Sequence, residues 1–233
     1  MKAVILAAGE GMRMRPLTLE KPKPMLEVAG KPLLHHIWEF LPHEIDEVIL
    51  VVGYKAKMIK KYFGKSFLGK NIVYVYQKTK KGTADALFLA KPHLNPSEKF
   101  LLLYADDLHD KKSIERCVKT EQGLLVCPVK NPREFGVVIA DAQGNIIEIA
   151  EKPKKPKSNI AIVGVYVLDN RIFKYKPPRN KNGEYYLTSM IEQMIKDHPM
   201  KAIKTDFWHP VGYPKDLKTA EKIFPPWAEK KKK

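Results

Sequence analysis

Runs of consecutive apolar residues, each followed by a stretch with helical spacing, organise the first 110 residues of this chain. Ala3–Ala8, Glu47–Gly53 and Phe100–Tyr104 are apolar with little alternation, as strands covered on both faces are, while Asn71–Gln77 alternates. Pro32–Leu41, Lys55–Phe63 and Thr83–Ala90 read as helices, the first with a proline in its opening turn. This order predicts a mostly parallel sheet with helices on both faces. After residue 110 the pattern changes. Leu124–Val129, Gly136–Ala140 and Ile146–Ala150 are short strands, the last two joined by an Asp-Ala-Gln-Gly-Asn turn that reads as a hairpin. Ile160–Leu168 is a longer strand, and Leu187–Asp197 and Lys215–Phe224 are helices. No internal repeat appears, and no hexapeptide β-helix follows. The expectation is one α/β domain over residues 1–225, in halves of about 1–110 and 111–225, with a basic tail at 226–233.

Composition sharpens this in one respect. The 233 residues include 42 Lys and Arg against 26 Asp and Glu, a net charge of +16, while 44% hydrophobic content excludes a disordered chain. The charge is localised: Lys230–Lys233, the run Lys152-Pro153-Lys154-Lys155-Pro156-Lys157, and Val48–Ala84, which holds nine lysines and no acid. Such fields suit nucleotides, sugar phosphates or nucleic acid, or simply a lysine-rich surface of a heat-adapted protein. No zinc finger, RNP pattern or clear helix-turn-helix is present, so no nucleic-acid partner is expected. No apolar run approaches the roughly 18–20 residues of a membrane span, and the apolar start is too brief for a signal peptide. A cytoplasmic protein without a membrane partner is expected. Cys117 and Cys127 fit neither a disulfide framework nor zinc spacing and read as small hydrophobes.

The chemistry is concentrated in the loop after the first strand. Val4-Ile5-Leu6-Ala7-Ala8 delivers Gly9-Glu10-Gly11-Met12-Arg13-Met14-Arg15-Pro16-Leu17-Thr18. Glycines placed there let backbone N–H groups approach a phosphate chain. Met14 stands where a dinucleotide fingerprint has its third glycine, and the Walker A Gly-Lys-Ser/Thr is missing. Cations distinguish the loop instead: Arg13, Arg15, Lys21 and Lys23. They suit a triphosphate whose oxygens gain charge during displacement.

Leu6-Ala7-Ala8-Gly9-x-Gly11-x-Arg13-Met14-x-Pro16-Leu17-Thr18, followed by Pro22-Lys23-Pro24-Met25, resembles the signature of the sugar-1-phosphate nucleotidyltransferases. The likeness continues in order to about residue 222. Gln77 and Gly82-Thr83-Ala84-Asp85-Ala86-Leu87 resemble the base-binding segment of members that use UTP or dTTP. Phe100–Leu108 resembles the strand ending in a metal-binding Asp. Glu134-Phe135-Gly136-Val137-Val138 and Glu151-Lys152-Pro153 resemble the sugar-phosphate segments, and Gly183-Glu184-Tyr185-x-Leu187-Thr188 and Trp208-x-x-Val211-Gly212-Tyr213-Pro214 resemble two C-terminal motifs. The resemblance implies a three-layer α/β/α, Rossmann-like fold and Mg²⁺-dependent transfer of a nucleotidyl group to a sugar 1-phosphate.

In that chemistry a phosphate oxygen attacks the α-phosphorus in line. Both reactants are already anions, so positioning and charge neutralisation do the catalysis. Arg13 would hold the departing pyrophosphate, and Lys23 would bridge the α-phosphate and the attacking phosphate. Asp106 ends a strand where open sheets place ligands, and would hold Mg²⁺. Leu6, Ala8, Gly9, Gly11, Gln77, Gly82 and Thr83 are the nucleotide-side candidates. Gln77 could donate and accept at a uracil or thymine edge, and Gly82 would let backbone approach the base. Gly136, Glu151, Lys152 and Glu184 are the sugar-phosphate candidates.

Two features pull against this. Asp106-Asp107-Leu108-His109-Asp110 fits an Asp-Asp-x-x-Asp pattern for prenyl diphosphates, but that pattern works on a helix and here follows a strand. The resembled motif also carries a second metal-binding Asp where this chain has Pro210. A catalytically weak nucleotide-sugar sensor is therefore the rival reading. A nucleotidyltransferase with GTP and mannose 1-phosphate, or with an N-acetylated or muramic acceptor, is another. UTP and dTTP are not separable by sequence, the acceptor is best guessed as glucose 1-phosphate, and oligomeric state leaves no sign.

Overall fold

The computed structural model describes the backbone of residues 1–229 and side chains as far as Ile223; Lys230–Lys233, within the expected basic tail, lie outside the described residues. Four parallel strands form the centre of the main sheet: β6 (Lys70–Tyr76), β4 (Glu47–Val52), β1 (Lys2–Ala7) and β7 (Phe100–Tyr104), adjacent in that order. β5 (Ser66–Phe67) folds back on β6. On the other side β12 (Ile160–Leu168) runs antiparallel to β7, and the expected hairpin of β10 (Gly136–Ala140) and β11 (Ile146–Glu151) extends the sheet. β9 (Gly123–Pro128) branches from β12 and carries β13 (Lys201–Lys204) parallel to it. The sheet is thus mixed, with a parallel centre and antiparallel second half.

Successive residues of β1 face opposite layers. Ala3, Ile5 and Ala7 pack with Leu34, Ile37 and Trp38 of α1 (Leu33–Phe40), Ile59 and Phe63 of α2 (Ala56–Phe63), and Ile114 and Cys117 of α4 (Lys111–Val118). Val4, with Ile49, Val51 and Leu102, packs against α3 (Thr83–Ala90) and α5 (Leu187–Met194). The fold is a three-layer α/β/α unit, as expected. Each large side chain fully buried in either layer contributes about 1.5–3 kcal/mol. Trp38 also keeps its indole satisfied, donating to the Phe67 carbonyl at 2.8 Å. The Cys117 thiol, pushed up to about 12 by burial, is inert in this layer.

Two further strand pairs and one long helix lie off the sheet: β2 (Glu27–Val28) with β3 (Lys31–Pro32), β8 (Asp107–His109) with β14 (Trp208–Pro210), and α6 (Pro214–Glu229). Met14, Leu26, Val28, Leu33, Leu108, Val211 and Ala220 form a third, smaller apolar cluster. It ties the loop after β1 to β8, to the segment after β14 and to α6. No described helix is long and apolar enough to cross a membrane.

His109 sits beneath this region, 1% exposed, with neither ring nitrogen partnered among the described residues. Burial holds its pKa down at about 4, partly opposed by the nearby Asp106 and Asp110 carboxylates. The unfolded chain takes up this proton near pH 6.5, whereas the folded chain takes it up only near 4. The stability associated with neutral His109 is therefore complete above about pH 6.5 and is lost as pH falls toward 4, by roughly 3 kcal/mol. Urea unfolding between pH 7 and 4.5 should show this loss in the native chain, and His109→Leu should show a shallower decline.

Candidate active site

The loop after β1 is shaped by one open and one crowded glycine. A Cβ on Gly9 would meet nothing within 4 Å, so this position faces free space. At Gly11, φ is +62° and a Cβ would lie 2.9 Å from the Lys23 Cβ and 3.2 Å from the Thr18 Cγ2. Gly11 is needed because the loop lies directly on Lys23. Thr18 Oγ1 fastens the fold-back by donating to the Gly11 carbonyl at 2.9 Å. Lys23, only 7% exposed, sends its ammonium 2.8 Å from Asp106 Oδ2, just past the end of β7. Arg13 is exposed and, among the described residues, makes no hydrogen bond or ion pair; its guanidinium carbon lies 5.2 Å from the centre of the Tyr213 ring.

Two adjoining clefts meet at this group of charges. The first, about 530 Å³, is lined by Leu6, Ala8, Gly9, Gly11, Gln77, Gly82 and Thr83, together with Arg13, Lys23 and Asp106. All the residues expected on the nucleotide side are thus brought together. Gln77 differs from expectation in detail. Its Nε2 donates to Asp85 Oδ2 at 2.9 Å and to the Gly82 carbonyl at 3.2 Å, so both amide hydrogens are used internally and Oε1 is left to accept. Gly82, with φ +94°, is required by the chain itself: a Cβ there would fall 2.4 Å from the Tyr185 carbonyl oxygen. The 81–84 and 185–187 segments are joined by Tyr185 N–H to the Lys81 carbonyl, Ala84 N–H to the Tyr185 carbonyl, and Leu187 N–H to Thr83 Oγ1. Lys80 reaches across the cleft to pair with Glu10, and holds that carboxyl below its ordinary pKa.

The second cleft, about 480 Å³, brings together Gly136, Glu151 and Lys152, three of the sugar-phosphate candidates, and is also lined by Tyr166, Tyr186 and Thr188. Thr188 Oγ1 donates to Glu151 Oε2 at 2.8 Å, and a Cβ on Gly136 would lie 3.1 Å from that oxygen. The Lys152 ammonium lies 5.6 Å from the Tyr186 ring centre. Glu184, the fourth sugar-phosphate candidate, lines the first cleft, its segment being bound to the Lys81–Ala84 loop. Tyr104, unremarked in the sequence, lines both clefts; burial raises its hydroxyl to about 12, and a Cβ on Gly164 would lie 2.9 Å from its ring.

The carboxylates near Asp106 have other duties. Asp107 accepts from Trp208 Nε1 at 3.0 Å and from Val211 N–H at 3.1 Å. Burial, then the neighbouring Asp106, push its carboxyl well above the ordinary range. Asp216 Oδ2 accepts from Gly212 N–H at 2.9 Å and Tyr213 N–H at 2.7 Å, at the start of α6. Pro210 lines the second cleft and has no side-chain oxygen. Among the described residues no group of three or more His, Cys, Asp or Glu is arranged to hold a metal ion. The donor set fits Mg²⁺ only as an ion held by Asp106 together with phosphate oxygens and water, a coordination that Mg²⁺ accepts.

Comparison with known proteins agrees with this geometry. A family model described as nucleotidyl transferase matches residues 2–224. The chain belongs to the nucleotidyl transferase family. The Bifunctional protein GlmU of Methanocaldococcus jannaschii is 39% identical over 225 residues, covering 95% of this chain and 54% of that protein. This nucleotidyltransferase thus spans about half the length of its GlmU relatives. UTP--glucose-1-phosphate uridylyltransferase AglF of Haloferax volcanii is 36% identical, with 95% of both chains covered. Among solved structures, one described as a glucose-1-phosphate thymidylyltransferase from Bacillus anthracis superposes with a TM-score of 0.85 at 26% identity, covering 96% of this chain and 94% of that one. The expected resemblance to sugar-1-phosphate nucleotidyltransferases is therefore met.

The close approach at Gly82 has a measurable consequence. Gly82→Ala puts a methyl into the Tyr185 backbone at a positive φ and should cost roughly 2–3 kcal/mol of stability. Gly30→Ala, at φ +72° with nothing within 4 Å, should cost only about 1 kcal/mol. Chemical unfolding of the two variants tests the difference.

Proposed function

We propose that this nucleotidyltransferase moves a uridylyl or thymidylyl group from UTP or dTTP to a hexose 1-phosphate, glucose 1-phosphate first among them. The observation that carries the reading is the Lys23–Asp106 contact of 2.8 Å where the two clefts join. It sets a cation and an acid where the two clefts share their lining, between a nucleotide in one and a sugar phosphate in the other. A sugar-phosphate oxygen attacks the α-phosphorus, a new P–O bond forms, and the bond to the β-phosphate breaks with its electrons leaving on pyrophosphate. Lys23 bridges the two reacting phosphates. Arg13, with its donors uncommitted, takes the departing pyrophosphate. Mg²⁺, when bound with Asp106, supplies neutralisation of phosphate charge.

Base choice follows from Gln77. With its amide hydrogens held by Asp85 and Gly82, it offers only an acceptor, which suits a ring N–H, as uracil and thymine (and guanine) carry, over the bare ring nitrogen of adenine or cytosine. The activity in the name of the Haloferax volcanii relative, UTP with glucose 1-phosphate, supports the same choice. Glu151, steadied by Thr188, accepts from sugar hydroxyls, and Lys152 meets the sugar phosphate. Pro210 favours a second reading, a catalytically weak sensor of nucleotide sugars.

Pyrophosphate release across ATP, GTP, CTP, UTP and dTTP with several sugar 1-phosphates and Mg²⁺ decides between them. UTP or dTTP with a hexose 1-phosphate should turn over fastest. A folded chain that binds UDP-sugars and is inactive in every combination is the sensor. In an active enzyme Arg13→Ala and Lys23→Ala should each lower kcat by about 10²-fold, roughly 3 kcal/mol, without unfolding the chain. A Mg²⁺ titration of initial rate should find Asp106→Asn nearly inactive, and Pro210→Asp half-saturated at lower Mg²⁺ than the native chain.

A further inference from the structure

We infer that Tyr213 is the positioning residue of Arg13. The inference rests on the proposed role of Arg13 at the triphosphate. Arg13 is exposed on a three-residue turn, Met12–Met14, and no carboxylate, carbonyl or amide among the described residues fixes its guanidinium. A free arginine loses substantial rotamer freedom on gripping a ligand. What limits that freedom here is the segment after β14. The guanidinium carbon stands 5.2 Å from the Tyr213 ring centre, within the range of cation–π attraction. A Cβ built on Gly212 would lie 3.9 Å from the same carbon, an ordinary contact distance, so the guanidinium lies alongside this stretch of backbone.

The segment is itself immobilised. Val211 N–H is taken by Asp107, and the next two backbone N–H groups by Asp216. The Val211 side chain is fully buried in the cluster that also holds Met14, the residue following Arg13. The ring and the arginine are thus anchored to one apolar knot from two sides, and their separation is set by it. The Lys215 ammonium lies 5.7 Å from the same ring centre, so the aromatic surface gathers cationic charge at the edge of the second cleft. Nothing in this arrangement consumes an Arg13 hydrogen-bond donor. A ring face holds the charge in place and leaves all five N–H groups for phosphate oxygens.

Tyr213 is 40% exposed, so its replacement should leave the fold intact. The test is a double-mutant cycle read by calorimetric binding of UTP with Mg²⁺ and by pyrophosphate release. Tyr213→Leu and Tyr213→Ala should each weaken UTP binding or kcat about fivefold, while Tyr213→Phe, which keeps the ring, stays within about twofold of native. In the Arg13→Ala background, Tyr213→Leu should add almost nothing. A native-like Tyr213→Leu, a Tyr213→Phe as weak as Tyr213→Leu, or an undiminished effect in the Arg13→Ala background would each overturn the inference. A native chain that binds UTP but releases no pyrophosphate overturns the proposed reaction, and the binding cycle still judges Tyr213. A native chain that does not bind UTP overturns both.

Discussion

The complete burial of the Met14 side chain is the constraint on which the site depends. The loop after β1 carries an open glycine and an arginine that makes no hydrogen bond or ion pair among the described residues, and its local structure is short turns. Such a loop would hold its cations loosely. Met14 removes that freedom by burying its side chain in one apolar cluster with Leu26, Val28, Leu33, Leu108, Val211 and Ala220. Dispersion and burial in that knot fix the loop, the Asp107–His109 strand and the 211–213 segment relative to one another. Charged groups aimed at phosphate are effective in proportion to how little they must reorganise, so this apolar contact underlies the electrostatics of the site.

Fold and site were legible to different depths. The parallel strands could be read because burial on both faces leaves continuous apolar runs. The helix Lys111–Val118 was missed, although Asp110 caps it by accepting from Ser113 N–H at 2.9 Å and Ile114, Cys117 and Val118 have helical spacing. Its charged outer face hid that stripe. Strands of three or four residues, such as Trp208–Pro210 and Lys201–Lys204, carry too little pattern to be seen before their partners are known. In the site, Arg13, Lys23 and Asp106 stood out because cations and a strand-end acid have few other uses in such loops. The orientation of the Gln77 amide, the reason for Gly82 and the placement of Glu184 were not legible, since each depends on a contact with a residue distant in sequence or on side-chain geometry.

The surplus of lysines shows how weakly composition alone speaks about partners. Several of the nine lysines between Val48 and Ala84 serve the chain locally. Lys55 Nζ donates to the Glu20 carbonyl at 2.9 Å, Lys70 Nζ to the Ile45 carbonyl at 2.5 Å, and Lys60 lies over the Tyr74 ring. Lys80 is paired with Glu10. The field these groups project is therefore smaller than their number suggests, whereas Arg13, one residue among 42 basic ones, lines a cleft with no hydrogen bond or ion pair among the described residues. Position and unspent hydrogen-bonding capacity decide more than charge count.

The stitching of Lys81–Ala84 to Tyr185–Leu187 bears on how such a chain can change over evolutionary time. The two segments lie about a hundred residues apart in sequence, yet share backbone hydrogen bonds and, at Gly82, leave no space for a methyl. Neither segment can be lengthened, shortened or exchanged for that of a relative without its counterpart. Side chains such as Asp85, Glu151 and Thr188, which line or brace the clefts without belonging to these backbone bonds, are free of that constraint.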